Sequence, residues 1–112
     1  MAEEAVLFVY VTAANAEEAR RIGRALVEEG LAACVNLPAP HTAIYRWEGA
    51  VAEDAEQALI AKTTEARFPE LARRVRALSS YTLPCIVALR VAAGDAGFLA
   101  WVATQLRPPP SG

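Results

Sequence analysis

Apolar positions along this chain repeat at several different spacings, and each change of spacing marks an element. Positions 5–11 (AVLFVYV) form an unbroken apolar run rich in β-branched and aromatic residues, as a central strand requires. From Asn15 the period lengthens. Ala19, Ile22, Gly23, Leu26 and Val27 recur at helical spacing, while Glu17, Arg20, Arg21, Arg24 and Glu28 fall on the opposite side. Asn15 with Glu18 three residues on predicts an N-cap and capping box, and Gly30 a left-handed C-terminal stop. A second helix is expected from Thr64 as N-cap, with Pro69 in its first turns and Phe68, Leu71, Ala72, Val75 and Leu78 as its apolar stripe. Ser79 and Ser80 break that stripe. Positions 83–92 (LPCIVALRVA) then predict a strand entered through Pro84, and Asp95 caps a last short helix carrying Phe98, Leu99, Val102 and Leu106.

Between the two long helices, positions 30–64 contain no helical pattern. The ends, 31–37 and 59–63, are apolar and β-friendly. In the middle, 42–48 alternates Ala43, Tyr45 and Trp47 against Thr42, Ile44, Arg46 and Glu48, the period-2 signature of a strand with two unlike faces. Gly49 turns the chain, so the stretch predicts a long β-hairpin whose first arm is bent by Pro38 and Pro40. The order strand, helix, hairpin, helix, strand is βαββαβ. It predicts an α+β, ferredoxin-like sandwich with both helices on one face of an antiparallel sheet and a short helix appended. No helix is assigned to the other face, and the hairpin outreaches what two short helices cover. The expected cover is further copies of the same chain.

Length and charge narrow the classes. One domain is expected over 1–107, with 108–112 a disordered tail. The chain is 54% hydrophobic and carries 11 basic against 13 acidic residues, which suits a soluble globular protein. A net charge of −2, with arginines interleaved among glutamates, argues against nucleic acid as a partner. The N-terminal apolar run is too short for a membrane span, which needs about 20 residues, and acids rather than bases precede it. A cytoplasmic protein without a membrane partner is the expectation. No nucleophile elbow, zinc-protease helix or phosphate loop occurs, and nothing orients the single histidine as a base, so no enzyme is expected.

Several residues carry chemistry beside a plain structural alternative. Cys34 and Cys85 are soft donors for copper or zinc, or small buried core residues. His41, in a loop bracketed by prolines, cannot build a metal site alone; it is otherwise an exposed loop residue. Glu53, Asp54 and Glu56 suit divalent cations, or guard a strand edge. Lys62 lies in an apolar strand end beside hydroxyls and a helix start, which suits an anion or an intersubunit ion pair. Tyr45 and Trp47 on one strand face suit an oligomer interface.

The runs GLAACVNL (30–37), IYRWEG (44–49), Asp54, Glu56 and Lys62-Thr63-Thr64 resemble the CutA divalent-ion tolerance family. SSYTLPCIVALRV (79–91) and FLAW (98–101) follow in matching order. The resemblance spans about positions 6–101. It implies a homotrimer of ferredoxin-like subunits, shaped like the PII signalling proteins, with tolerance to copper and other divalent cations, metal binding in some members, and no catalysis. Where the family reads His-Pro-Tyr-x-x-Pro-Glu, this chain has Ser79, Ser80, Tyr81, Thr82, Leu83, Pro84 and Cys85. The histidine and glutamate tied to metal are thus replaced by Ser79 and Cys85.

Three functions remain in view. One is a trimer that binds copper or a similar cation weakly, through Cys34 with Cys85 or a carboxylate. The second is a PII-like sensor holding a small anion near Lys62 and Arg46. The third is an interaction module that binds a protein partner.

Overall fold

The computed structural model describes residues 4–108, and its elements follow the predicted order. They are β1 (Val6–Ala13), α1 (Ala16–Glu28), β2 (Cys34–Asn36), β3 (His41–Trp47), β4 (Ala50–Thr64), α2 (Phe68–Leu78), β5 (Ile86–Arg90) and α3 (Ala96–Thr104). The sheet order is β2-β4-β1-β5, every neighbouring pair is antiparallel, and β3 pairs with the outer length of β4. This is the ferredoxin-like α+β arrangement. The last four residues of the expected tail lie outside the described residues.

Side-chain alternation decides what each sheet face holds. Leu7, Val9, Val11 and Ala13 of β1 join Leu59 and Ala61 of β4 in the main core, closed by Ala19, Ile22 and Leu26 of α1 and Leu71 and Val75 of α2. Val27, expected in the α1 stripe, is exposed at the stripe's edge. The opposite sheet face carries Phe8, Tyr10, Val87 and Leu89. It is not bare from end to end, as the helix pattern alone suggests. The short α3 folds over its Val6 end, and Val102 packs with Val6, Ala33, Leu99 and Leu106 in a second cluster. Beyond α3 the face stays open, with Val87 and Leu89 exposed.

Three boundaries differ from the expected ones, each for a local reason. Thr64 does not cap α2. It is the fully buried last residue of β4, and Arg67 occupies the N-cap position after a turn in which the Thr64 carbonyl accepts from the Arg67 N–H. The strand predicted over 83–92 is shorter, because Pro84 has no N–H for the ladder and pairing starts only at Ile86. In the hairpin, the prolines leave 37–40 out of the sheet, so the first arm is split into β2 and β3 while β4 runs unbroken for 15 residues.

Two turns depend on left-handed backbone. Glu48 and Gly49, at φ 50° and 83°, form a two-residue loop between the paired Trp47 and Ala50, the geometry that matches strand twist. Gly30, at φ 72°, follows α1, and its carbonyl accepts from the Arg107 N–H at 2.8 Å. A Cβ there would lie 2.7 Å from Arg107 Cβ.

The entry to α1 is doubly fixed. Asn15 accepts the Glu18 N–H at 2.8 Å, as a capping residue should. Glu18 does not close the box onto Asn15. It is buried, accepts from the Ala14 N–H at 3.0 Å and reaches across to accept from the Ser80 N–H at 3.0 Å. Burial opposes its charge, but hydrogen bonds from Ser80 and Ala14 with Arg21 nearby outweigh it and hold the carboxyl below the usual carboxylate range.

Gly30→Ala is expected to lower stability by roughly 1–3 kcal/mol, more than Gly49→Ala, where no atom crowds the new Cβ. Urea unfolding midpoints of the two variants check the order. Glu18 has a folded pKa below its unfolded one, so its contribution is present above the ordinary carboxylate range and is lost as pH falls through the folded value. Glu18→Gln is therefore expected to cost about 1–3 kcal/mol at neutral pH. The gap to the parent protein should close as pH falls below about 4. Unfolding midpoints across a pH series measure this.

Candidate functional site

The turn at Glu48 and Gly49 sets the register of the whole hairpin, and that register places His41 opposite Glu56. Their side chains meet, with His41 Nε2 3.1 Å from Glu56 Oε1. The second oxygen of Glu56 accepts from the Tyr81 hydroxyl at 3.0 Å. Tyr81 belongs to the turn between α2 and β5, and two contacts fix it there. Its own N–H donates to Ser79 Oγ at 3.0 Å, and the preceding Ser80 N–H is held by Glu18. One carboxylate therefore ties the hairpin to the turn. Further out along the same strand pair, the Tyr45 hydroxyl donates to Asp54 Oδ2.

Tyr45, Asp54, Glu56 and Tyr81 line a groove of about 780 Å³ between the hairpin and the α2–β5 turn. Tyr10, Tyr45, Trp47 and Tyr81 supply aromatic wall, Asp54 and Glu56 supply carboxylates, and Cys85 supplies a thiol. Three weak acids of the groove are held above their ordinary values by burial and by their carboxylate neighbours. Burial together with the hydrogen bond and charge of Glu56 pushes the Tyr81 phenol up to about 12. The hydrogen bond to Asp54 raises Tyr45, and burial followed by the Glu56 charge raises the Cys85 thiol.

The residues singled out in the sequence divide into two places. Cys85 is in the groove, its carbonyl accepting from the Thr12 N–H at 3.4 Å. Cys34 is not: it sits on β2 opposite Lys62, on the far side of β4 and β1 from β5. Three strand spacings, roughly 14 Å, separate the two strand positions, too far for one ion to bridge both thiols of a chain. Lys62 is buried beside Phe8, with Nζ 5.4 Å from the ring centroid, and makes no ion pair among the described residues. Arg46 is exposed at the hairpin end opposite Val51. From position 51 to position 62 of β4 is roughly 36 Å of strand, so the two cations expected to share an anion do not meet within one chain. Glu53 faces away from Asp54 and Glu56, as strand alternation requires.

A metal ion finds a partial fit here. Imidazole, carboxylate and thiol are suitable donors for copper or zinc. Among the described residues, however, no group of three or more His, Cys, Asp or Glu is close enough to close on one ion. Only His41 and Glu56 are in contact, and Cys85 lines the groove with Glu56, so a metal held by this pair would need further donors from elsewhere. Residue spacing does not by itself suggest the His41–Glu56 pairing, although a signal for it exists: a two-residue turn at 48–49 fixes residue 56 as the partner of residue 41. The role of Glu18 in holding the turn leaves no comparable trace, because it depends on how α1 meets residue 80.

Comparisons with known proteins bear on the whole chain. The family model for the CutA1 divalent ion tolerance protein matches residues 7–105. The divalent-cation tolerance protein CutA of Thermus thermophilus is 52% identical over 100 residues, covering 89% of this chain and 94% of that one. The solved structure of a Thermus thermophilus divalent cation tolerance protein superposes with a TM-score of 0.89 at 48% identity, over 91% of this chain and 99% of that one. CutA1 from Oryza sativa gives a TM-score of 0.91 at 36% identity, over 95% and 97%. Sequence motifs, βαββαβ order and superposition agree over nearly the whole length, and the chain belongs to the CutA1 divalent ion tolerance family.

Proposed function

We propose that this protein acts in divalent-cation tolerance as a non-catalytic homotrimer that binds copper weakly in its acidic groove. The observation that carries this reading is the contact of His41 with Glu56, a carboxylate that lines the same groove as the Cys85 thiol. Relatives named for divalent-cation tolerance supply the physiological context. An open donor set that lacks a third close ligand suits loose, exchangeable binding better than a structural site. The two unpaired cysteines are in keeping with a reducing, cytoplasmic setting.

Assembly rests on a separate observation. Val87 and Leu89 on the sheet, with Ile44 and Val51 on the hairpin, are each at least half exposed, a large apolar surface for one soluble chain. Further copies of the chain would cover it. A second reading, an anion-sensing trimer, is favoured by Lys62 alone: its buried ammonium group makes no ion pair among the described residues. In that case Arg46 would have to come from another subunit.

Native mass measurement is expected to show a species three times the 12.0 kDa chain. A monomer would remove the assembly reading. Titration of reduced protein with Cu(I) and Cu(II) against a competing chelator is expected to saturate at up to one ion per chain. Affinity should fall roughly tenfold or more in Cys85→Ser and Glu56→Gln and hold in Cys34→Ser. Binding no tighter than that of simple thiols, or loss only in Cys34→Ser, would retire the groove as the copper site.

A further inference from the structure

We propose that the cleft between the end of α1 and the middle of α2 binds a small phosphate monoester, held by Arg73 and Arg74. The site lies in the helix layer, across the sheet from its open face and away from the hairpin. Copies of the chain that cover the open face and the hairpin leave it in solvent. It uses neither the copper donors nor Lys62.

The walls belong to two rigid elements. Glu70, Arg73, Arg74 and Ala77 recur at helical spacing and form one stripe of α2. That stripe faces Glu29, the C-cap of α1, and Leu31 just beyond it. The six residues line a cleft of about 210 Å³. Both of its carboxylates are already engaged. Arg74 donates from Nε to the two oxygens of Glu29, at 2.9 and 3.0 Å. Glu70 accepts from Arg67 on one oxygen, at 2.9 Å, and from Arg107 on the other. Glu28, the next acid on α1, is held by Arg24 at 3.6 Å. Arg73 lines the same cleft and makes no ion pair among the described residues.

Charge then decides the ligand. Four guanidinium groups meet two carboxylates here, which leaves a surplus of two positive charges. Glu70 does not exhaust Arg67, which is buried and whose Nε has no hydrogen-bond partner among the described residues. A phosphate monoester carries about two negative charges at neutral pH and presents three acceptor oxygens. Guanidinium forks match such oxygens in pairs. Arg73 offers a whole fork. Arg74 grips Glu29 through Nε and Nη2, which leaves its Nη1 for the ligand. Size adds the ester. At about 30 Å³ per water-sized group, the cleft takes roughly seven, so a phosphate with a short carbon stem against Leu31 and Ala77 fills it.

The same features select against other ligands. A cation would meet surplus guanidinium charge with both carboxylates engaged. A neutral molecule would leave Arg73 unmatched.

Propyl phosphate and propyl sulfate separate charge from shape, because they are close in size and the sulfate carries a single charge. Calorimetric titration of the full chain, with chelator present throughout, is expected to show saturable propyl phosphate binding at about one per chain. Propyl sulfate should bind several-fold more weakly. Arg73→Gln should lower propyl phosphate affinity roughly tenfold. Ala77→Phe changes no charge but fills the cleft, and should abolish binding. Arg46→Gln, on the hairpin, should leave binding unchanged. Arg73 and Ala77 are exposed on α2, so both variants are expected to keep the parent unfolding midpoint. No saturable binding, equal affinity for the two esters, or binding retained in Ala77→Phe would each overturn the proposal. Loss in Arg46→Gln in place of Arg73→Gln would overturn it too, by moving the anion to the hairpin. Copper binding is measured separately, so failure of either site leaves the other legible.

Discussion

β4 is the constraint on which the rest of this structure depends. Its inner residues pair with β1 over eight positions and with β2 over three, and its outer residues pair with β3 over seven. Core sheet and hairpin are thus two ends of one strand, and one register governs both. Leu59 and Ala61 must face the helices, since they fill the core beneath α1 and α2. Alternation then directs Asp54 and Glu56 to the opposite face, where the groove lies. A slip of one residue would turn those carboxylates away from the groove and Leu59 away from the core, so hydrophobic burial at one end of β4 orients the chemistry at the other.

Polar side chains on the core-facing side of β4 explain how the chain can leave the sheet and rejoin it. Gln57 is buried, and its amide nitrogen donates to the Pro38 carbonyl at 2.6 Å and to the Ala58 carbonyl at 2.8 Å. Thr63 is buried too and donates to the Leu31 carbonyl at 2.7 Å. Pro38 and Leu31 lie in segments outside the ladder, just after β2 and just before it. A backbone carbonyl left unpaired at such a break would cost about 1–3 kcal/mol. The two side chains take the place of the missing ladder bonds, and β3 can start again in register at His41.

Patterning along the sequence is enough for the element order, the sheet class and the caps at Asn15 and Asp95, because each rests on local spacing. The family resemblance is equally legible, being carried by contiguous runs. What spacing does not supply is contact between distant segments. The helix start expected at Thr64 is overridden because that residue is fully buried at the end of β4. Residue type alone supports pairing Cys34 with Cys85, and Lys62 with Arg46. Strand order separates the first pair and strand length the second. Conversely, His41 reads as a solitary loop residue in the sequence, and only the register of the hairpin gives it Glu56 as a neighbour.

That neighbour changes how the departure at Ser79 and Cys85 should be understood. In a site whose imidazole rides on the α2–β5 turn, ligand geometry depends on docking the turn against the hairpin, a tertiary contact. Here the imidazole and the carboxylate sit on directly opposed positions of one strand pair, whose side chains are held about 5 Å apart by the ladder itself. The turn still contributes, through Tyr81 to Glu56 and through Cys85, but it is no longer needed to bring the first two groups together. The imidazole of this chain stands instead on the hairpin, where the same register that buries Leu59 holds His41 beside Glu56.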